Sequence, residues 1–215
     1  MMAARRAGQV RARRTGFGRM KKQKKALEDT SRGRELIDVA ARVFYEHGYK
    51  SATMQNIADE LGILKGGLYH YVGSKEDLLY HVIESPHREA LDLVRECQAM
   101  GGPVVDRLTA LVRGQVLKLT KNYIHWNIFL NDYDALSDEQ KRHLVEDRKT
   151  YQGYLRSLLE EGRQSGAFRA DLNPPLTALA ILGMVNWASR WYRPDERRTP
   201  DDIADEFVKL VLKGL

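Results

Sequence analysis

Apolar residues recur along most of this chain at the spacing of amphipathic α-helices. In the first clear case, Leu36, Ile37, Ala40 and Phe44 fall on one helix face. Gly48 follows this run and can end the helix in the left-handed capping conformation. The sequence contains no internal repeat and no strand-like alternation of useful length. The pattern therefore predicts an all-α fold.

Capping residues and glycines divide the chain into about nine predicted helices. Thr53 is a suitable N-cap for a short helix over 54–61, which Gly62 ends. A second short helix is predicted over 65–71, and Gly73 follows it. Pro86 predicts a kink or break in the long helix that starts at Ser74. The remaining predicted helices cover 104–121, 122–134, from Ser137 (with Gln140) to about Ser165, 175–192, and a last helix that starts at Thr199.

Residues 53–80 carry the clearest functional pattern. A short helix, a glycine turn and a second short helix are the geometry of a helix-turn-helix. Ile57 and Leu61 would face inward from the first helix, and Leu68 would anchor the second. The exposed positions of the second helix would then combine small glycines, which allow close approach to a DNA groove, with lysine and tyrosine side chains, which reach bases or phosphates.

The tracts LIDVAARVFYEHGYKSATMQNIADELGI and GGLYHYVGSKEDLL make residues 34–80 resemble the DNA-binding half of the TetR family of one-component bacterial regulators. The resemblance implies a homodimer that binds operator DNA and, typically, releases it when a small molecule binds. It also implies two of three expected parts, which are a helix-turn-helix domain over 30–76 and a ligand-binding and dimerisation domain over 77–215. The third part, residues 1–29, is expected from its polar, basic and glycine-containing composition to be a disordered arm. The expected function is a ligand-responsive transcriptional repressor.

The same resemblance implies which residues contact double-stranded DNA. Gly67 replaces a hydroxyl or alanine side chain that is common in the family, so Lys65 would carry more of the direct base readout. The alternative is that residues such as Tyr69 and His70 belong to an ordinary amphipathic surface. The expected DNA-binding residues are Thr53, Lys65, Gly66, Gly67, Tyr69, His70, Tyr71 and Lys75.

Charge is distributed unevenly behind the formal net charge of +6. Residues 1–27 contain ten basic residues and no acid, whereas residues 28–80 contain six basic and nine acidic residues. Because cations supply the phosphate contacts of DNA-binding proteins, we expect the arm to add phosphate or minor-groove contacts. The alternatives are a solvated tail, a start site at Met20, and a transit peptide, although this segment lacks serine.

Composition argues against several other classes of protein. Cys97 is the only cysteine, which excludes an intrachain disulfide framework and a multi-thiolate zinc site. No apolar run reaches the ~18 residues of a membrane span. The histidines lack metal-ligand spacing, and no nucleophile elbow, phosphate-binding glycine loop or HExxH motif is present. We therefore expect a cytoplasmic protein with no catalytic residue, metal or cofactor and no membrane partner.

The predicted seventh helix carries an apolar stripe that includes one cation. Tyr151 and Leu155 share the stripe with Arg148. Since charges are rarely buried unpaired, Arg148 either pairs with an internal carboxylate or receives an anionic ligand. Nearby aromatic residues would either wall a pocket or form part of the core. The candidate ligand-binding residues are Trp126, Phe129, Tyr133, Arg148, Tyr151, Leu155, Arg163 and Trp187.

The C-terminal tract LTALAILGMVNWASRWYRPDERRTPDDIADEFVKLVLKGL resembles the acyl-CoA-responsive branch of the family, which includes regulators of fatty-acid and sterol catabolism. This implies a CoA thioester effector, with Arg148, Arg163 and Arg190 as candidate contacts for its phosphates. A DNA-binding regulator without an effector is the alternative. The same tract is expected to form a four-helix dimer interface through Leu179, Met184, Trp187, Trp191, Phe207 and Leu210.

Overall fold

The computed structural model describes Leu27, residues 30–194 and residues 197–215. These residues contain nine α-helices, a short 3-10 turn at Tyr133–Ala135 and no strand, which confirms the all-α prediction for this part of the chain. The predicted arm lies outside the described residues, except for Leu27. The helices are α1 (Ser31–His47), α2 (Met54–Glu60), α3 (Lys65–Leu68), α4 (Lys75–Met100), α5 (Val104–Lys121), α6 (Tyr123–Asp132), α7 (Asp138–Gln164), α8 (Pro174–Trp191) and α9 (Pro200–Gly214).

Side-chain caps fix the starts of four helices where the sequence predicts them. Thr53 Oγ1 accepts the Asn56 N–H at 3.1 Å, and Ser74 Oγ accepts the Asp77 N–H at 3.0 Å. Ser137 and Thr199 cap α7 and α9 in the same way, each within a reciprocal capping box. Such bonds satisfy N–H groups that have no partner inside a helix. The chain is thus divided into helices largely by local chemistry.

The third helix is shorter than predicted. α3 covers only Lys65–Leu68, and the chain continues through turns that include the hydrogen bond from the Tyr71 N–H to Leu68 O at 2.9 Å. Gly66 and Gly67 make up half of this helix, and glycine is a poor helix former. The helix therefore depends on packing around Leu68, which is fully buried.

Pro86 does not break α4, which runs without interruption from Lys75 to Met100. A proline inside a helix removes the N–H that would bond the carbonyl four residues earlier. Immediately after it, His87 Nδ1 lies 2.9 Å from Ile83 O, so its side chain supplies a hydrogen bond in the disturbed turn. Of the kink or break that Pro86 predicts, the break is therefore wrong, and α4 is a continuous element.

Two hydrophobic cores share α4. The first half of α4 packs with α1, α2 and α3, and this core also takes in Ile128, Leu136 and Leu144 from α6, α7 and the segment between them. The second half packs against α5 and α7, and this second core also contains residues of α8 and α9. The predicted boundary between residues 76 and 77 therefore falls inside the first turn of a helix whose next turns still belong to the N-terminal core.

Close packing at the end of α7 requires a glycine. A Cβ added at Gly162 would overlap the buried ring of Phe168, whereas a Cβ added at Gly153 on the same helix would meet no atom within 4 Å. The two glycines thus form a matched pair in one helix, one packed and one open.

We expect Gly162→Ala to destabilise the protein by about 1–3 kcal/mol through overpacking. Gly153→Ala should instead stabilise it by up to ~1 kcal/mol, because alanine is the better helix former. Urea unfolding at one fixed protein concentration measures both effects. Equal changes in the two variants would contradict the packing described for Phe168.

Candidate DNA-binding surface and effector domain

The three N-terminal helices form a compact helix-turn-helix. Ile57 from α2 and Leu68 from α3 are fully buried, as the sequence predicts. Gly62 takes a φ of 64° in the turn between them, a backbone region that glycine enters without strain. Arg32 Nη2 donates to Leu61 O at 3.2 Å and joins the start of α1 to this turn. The arrangement leaves one side of α3 exposed to solvent.

The predicted DNA-binding residues differ in their exposure. Thr53, at the start of α2, is exposed although its hydroxyl serves as the N-cap. Gly67 and Tyr71 are half-buried. The residues that lie exposed on or just after α3 are Lys65, Gly66, Tyr69 and His70. The exposed surface therefore combines the cation, the hydroxyl groups and the small residues that DNA recognition uses.

Lys75 serves the protein's own framework rather than an open surface. Its Nζ donates to Tyr49 O and Ala52 O, both at 2.8 Å, and to Lys50 O at 3.3 Å. The ammonium also lies 4.5 Å from the centroid of the Tyr49 ring. A lysine has three donors, and all three find carbonyl partners here. Lys75 thus ties the start of α4 to the loop that presents Thr53, which sets it apart from the phosphate contact that the family resemblance implies.

Leu64 is a surface residue that the sequence reasoning missed. It occupies the N-cap position of α3, makes no side-chain capping bond, and is 86% exposed. Its signal was present in the sequence, because a leucine stands where serine, threonine, aspartate or asparagine is preferred.

An aromatic cluster lies where α4 meets α6. The His87 ring is centred 5.3 Å from Trp126 and 4.9 Å from Phe129, and Phe129 is 5.4 Å from Tyr133. Burial lowers the pKa of His87, although its hydrogen bond to Ile83 O opposes the shift. The ring is therefore neutral near pH 7. This cluster contains three of the predicted ligand-binding residues and adds His87 to them.

The predicted stripe on α7 is only partly internal. Tyr151 and Leu155 are buried in the core of the C-terminal half, and burial raises the pKa of Tyr151. Arg148 is exposed, since it lies at the edge of the stripe and its long side chain reaches solvent. The prediction that Arg148 lies inside the apolar stripe is therefore wrong, whereas its role as a ligand contact stays a prediction.

Two other predicted ligand contacts also lie outside this core. Arg163 pairs with Glu160 at 2.7 Å near the end of α7, so its charge is already matched at the surface. Trp187 is 65% exposed on α8. Neither side chain lines the interior that contains Tyr151 and Leu155, and Trp187 instead belongs to an external apolar face.

Gln115 is an unpredicted polar residue in the interior of the C-terminal half. It is only 4% exposed, and its Oε1 has no hydrogen-bond partner among the described residues. Leu111 and Leu119, one turn before and after it on α5, are fully buried. An unpaired buried amide costs about 1–3 kcal/mol. The sequence signal was a lone glutamine at the centre of an otherwise apolar helix face.

α8 and α9 expose a continuous apolar face. Trp191 and Phe207 join the two helices through rings 6.4 Å apart. A groove of about 190 Å³ runs between them, lined by Met184, Leu210 and neighbouring residues. The exposed apolar side chains of this face are Leu176, Leu179, Trp187 and Leu210, while Met184, Trp191 and Phe207 are half-buried. All six predicted dimer residues therefore lie on α8 and α9 with access to solvent.

None of the described helices is both long enough and apolar enough to cross a membrane. In the same part of the chain, no group of three or more histidine, cysteine, aspartate or glutamate residues is arranged to hold a metal ion.

Comparison with known families gives this architecture a class. Residues 36–82 match the family described as bacterial regulatory proteins, tetR family, and residues 101–215 match the tetracyclin repressor-like C-terminal domain. The chain therefore belongs to the TetR family and is a DNA-binding transcriptional regulator.

Individual relatives extend over nearly the whole fold. The HTH-type transcriptional repressor KstR2 of Rhodococcus jostii (strain RHA1) is 32% identical over 194 residues, which are 87% of this chain and 95% of that protein. The structure of the ketosteroid transcriptional regulator KstR2 of Mycobacterium tuberculosis has a TM-score of 0.78 at 26% identity and covers 86% of this chain and 95% of its own. AibR in complex with isovaleryl coenzyme A and operator DNA has a TM-score of 0.70 at 30% identity, with coverages of 82% and 96%.

We expect Lys75→Met to weaken operator binding about tenfold or more, because the loop before Thr53 loses three charge-assisted bonds. The slope of log affinity against log salt should stay the same, since no phosphate contact disappears. The measurement is a titration of operator DNA, selected from a random duplex library, at several salt concentrations.

Lys65→Met is the matched control on the exposed side of α3. If Lys65 contacts a phosphate, its loss should reduce the slope by about 0.9 per contact. A comparable reduction for Lys75→Met would show that Lys75 leaves its carbonyl partners and contacts DNA.

Proposed function

We propose that this protein is a ligand-responsive repressor, which binds an operator through α2 and α3 of both protomers of a homodimer and leaves it when an effector binds the C-terminal half. The observation that carries this proposal is the continuity of α4. One helix contributes side chains both to the core beneath the exposed α3 surface and to the core of the C-terminal half. A displacement of α4 in one half would therefore also move side chains in the other half.

The effector that we propose is an acyl-CoA thioester. One relative supports it directly, because AibR was solved with isovaleryl coenzyme A and operator DNA. In this chain, the apolar acyl part would enter the region of Trp126, Tyr151 and Leu155, and the Gln115 amide would supply the polar contact that it now lacks. The exposed Arg148 and Arg190 would be available to the phosphates.

The transmission step would run along α4 to its first residue. A ligand that displaces the second half of α4 also displaces the Lys75 ammonium and the three carbonyls that it holds. Those carbonyls belong to the loop before Thr53, so the spacing of the two recognition surfaces in a dimer would change. The proposed response therefore needs only a rigid shift of α4.

The homodimer would be built from the exposed apolar face of α8 and α9. A two-fold axis would pack this face against its own copy as a four-helix interface. The support is the size of the exposed side chains, since Trp187 and its apolar neighbours would otherwise remain in water. The proposed role is binding rather than catalysis, and its place is the cytoplasm, where operators lie.

The test of the effector is release of fluorescent operator DNA by a series of acyl-CoAs of increasing length, with free CoA as the control. At about 100 times its dissociation constant, a true effector should also stabilise the protein by about 2.7 kcal/mol. Gln115→Leu should keep operator affinity in the absence of acyl-CoA and weaken the response about tenfold, the loss of roughly one good hydrogen bond. If no acyl-CoA shifts stability or releases DNA, the alternative of a regulator without such an effector is favoured.

The basic segment before Leu27 would contribute binding energy that does not depend on sequence. Deleting residues 1–25 removes all ten of its basic residues and retains Leu27, which is 1% exposed in the N-terminal core. We expect the salt dependence to become shallower, with similar losses of affinity for operator and for random DNA. Replacing the ten basic residues by glutamine in the full chain separates charge from length. Equal salt slopes for the deleted and full-length proteins would contradict this role.

A further inference from the structure

α3 and its N-cap position contain three residues that destabilise the helix and make no compensating contact inside the protein. Leu64 occupies its N-cap, and Gly66 and Gly67 make up half of its four residues. An N-cap leucine forfeits the capping bond that a polar residue would give. Glycine is the least favourable residue in a helix except proline. Their presence together requires an explanation from outside the chain.

Neither glycine is required by its own surroundings. A Cβ at Gly66 would meet no atom within 4 Å, and a Cβ at Gly67 would meet only Ile63 Cδ1, at the ordinary contact distance of 3.8 Å. Neither residue has a positive φ, so an L-residue would fit the backbone as well. Because neither glycine has a side chain, a large partner can approach the backbone of α3 closely at these two positions.

Leu64 projects beside these two glycines. At 86%, it is the most exposed large apolar side chain in the described part of the protein. Several others belong to the α8–α9 face, and Tyr45 has an aromatic neighbour, Tyr123, at 6.2 Å. Leu64 is also followed directly by Lys65, which is exposed. An apolar and a cationic side chain therefore project together next to two glycines.

We propose that Leu64 is a specificity-determining residue, which reads the C5-methyl group of a thymine in the major groove of the operator. The proposal rests on the DNA-binding role of α2 and α3. Thymine is the base that presents an apolar group in the major groove, and an apolar side chain contacts it favourably. The glycines allow α3 to come close enough for Leu64 to reach the groove floor, and Lys65 would donate to a guanine or a phosphate nearby.

The experiment removes one methyl group at a time from the DNA. Each thymine of a selected operator is replaced by uracil, and the dissociation constant is measured with wild type and with Leu64→Ala. For wild type, one uracil position per half-site should weaken binding about fourfold, the value of one buried methyl group. For Leu64→Ala, uracil at that position should have no effect, because the contact is already lost.

Leu64→Ser distinguishes recognition from a structural role. Serine restores a side-chain cap, so the melting temperature should rise by about 2–4 °C. The preference for thymine over uracil should disappear in the same variant. Leu130→Ala, at a partly exposed leucine on α6, is the matched control and should retain the preference.

Two results would overturn the proposal. One is that uracil substitution at no position changes the dissociation constant of wild type. The other is that replacing thymine by uracil still weakens the binding of Leu64→Ala. A selection that yields no preferred sequence for wild type would be a different result, since it would contradict sequence-specific DNA binding itself and thus the proposed function.

Discussion

Both hydrophobic cores of this fold depend on one shared helix, α4. The first half of α4 is buried against α1–α3, where Leu78 and Leu79 are fully enclosed, and its second half packs Leu93 and Val94 into the other core. Apolar burial of this kind is the largest favourable contribution to folding. Because both halves of the protein bury surface on the same rigid element, neither can rotate without exposing part of its core.

Polar contacts restrict the same region further. Tyr80 Oη donates to Glu84 Oε1 at 3.1 Å, and Arg88 Nη2 lies 3.1 Å from Glu84 Oε2, so one buried carboxylate joins three successive turns of α4. Burial and the Glu84 charge raise the pKa of Tyr80, which keeps its hydroxyl protonated as a donor. Between α1 and α6, His125 Nε2 lies 3.8 Å from Asp38, which is beyond hydrogen-bond distance. The contacts of Glu84 lie within α4, so they hold this helix together rather than join it to its neighbours, and ion pairs of this kind add little net stability.

The sequence predicted best the features that depend on neighbouring residues. Four helix caps were predicted correctly, because a hydroxyl can reach an N–H three residues later: Thr53, Ser74, Ser137 and Thr199. The helix-turn-helix lies between the first two of them. The partners of Lys75 lie 23 to 26 residues earlier in the chain, so no local pattern could reveal them. The exposure of Arg148 depends on how α7 is rotated about its axis against neighbouring helices. Helical periodicity alone does not determine this rotation to within one residue.

The low intrinsic stability of α3 has an evolutionary consequence. Leu64, Gly66 and Gly67 make no contact on which either core depends, whereas Leu68 holds the helix in place. Mutations at the first three positions therefore alter the surface offered to DNA at almost no risk of unfolding. Duplicated copies of such a gene can acquire different target sites quickly, while the effector half continues under its own selection.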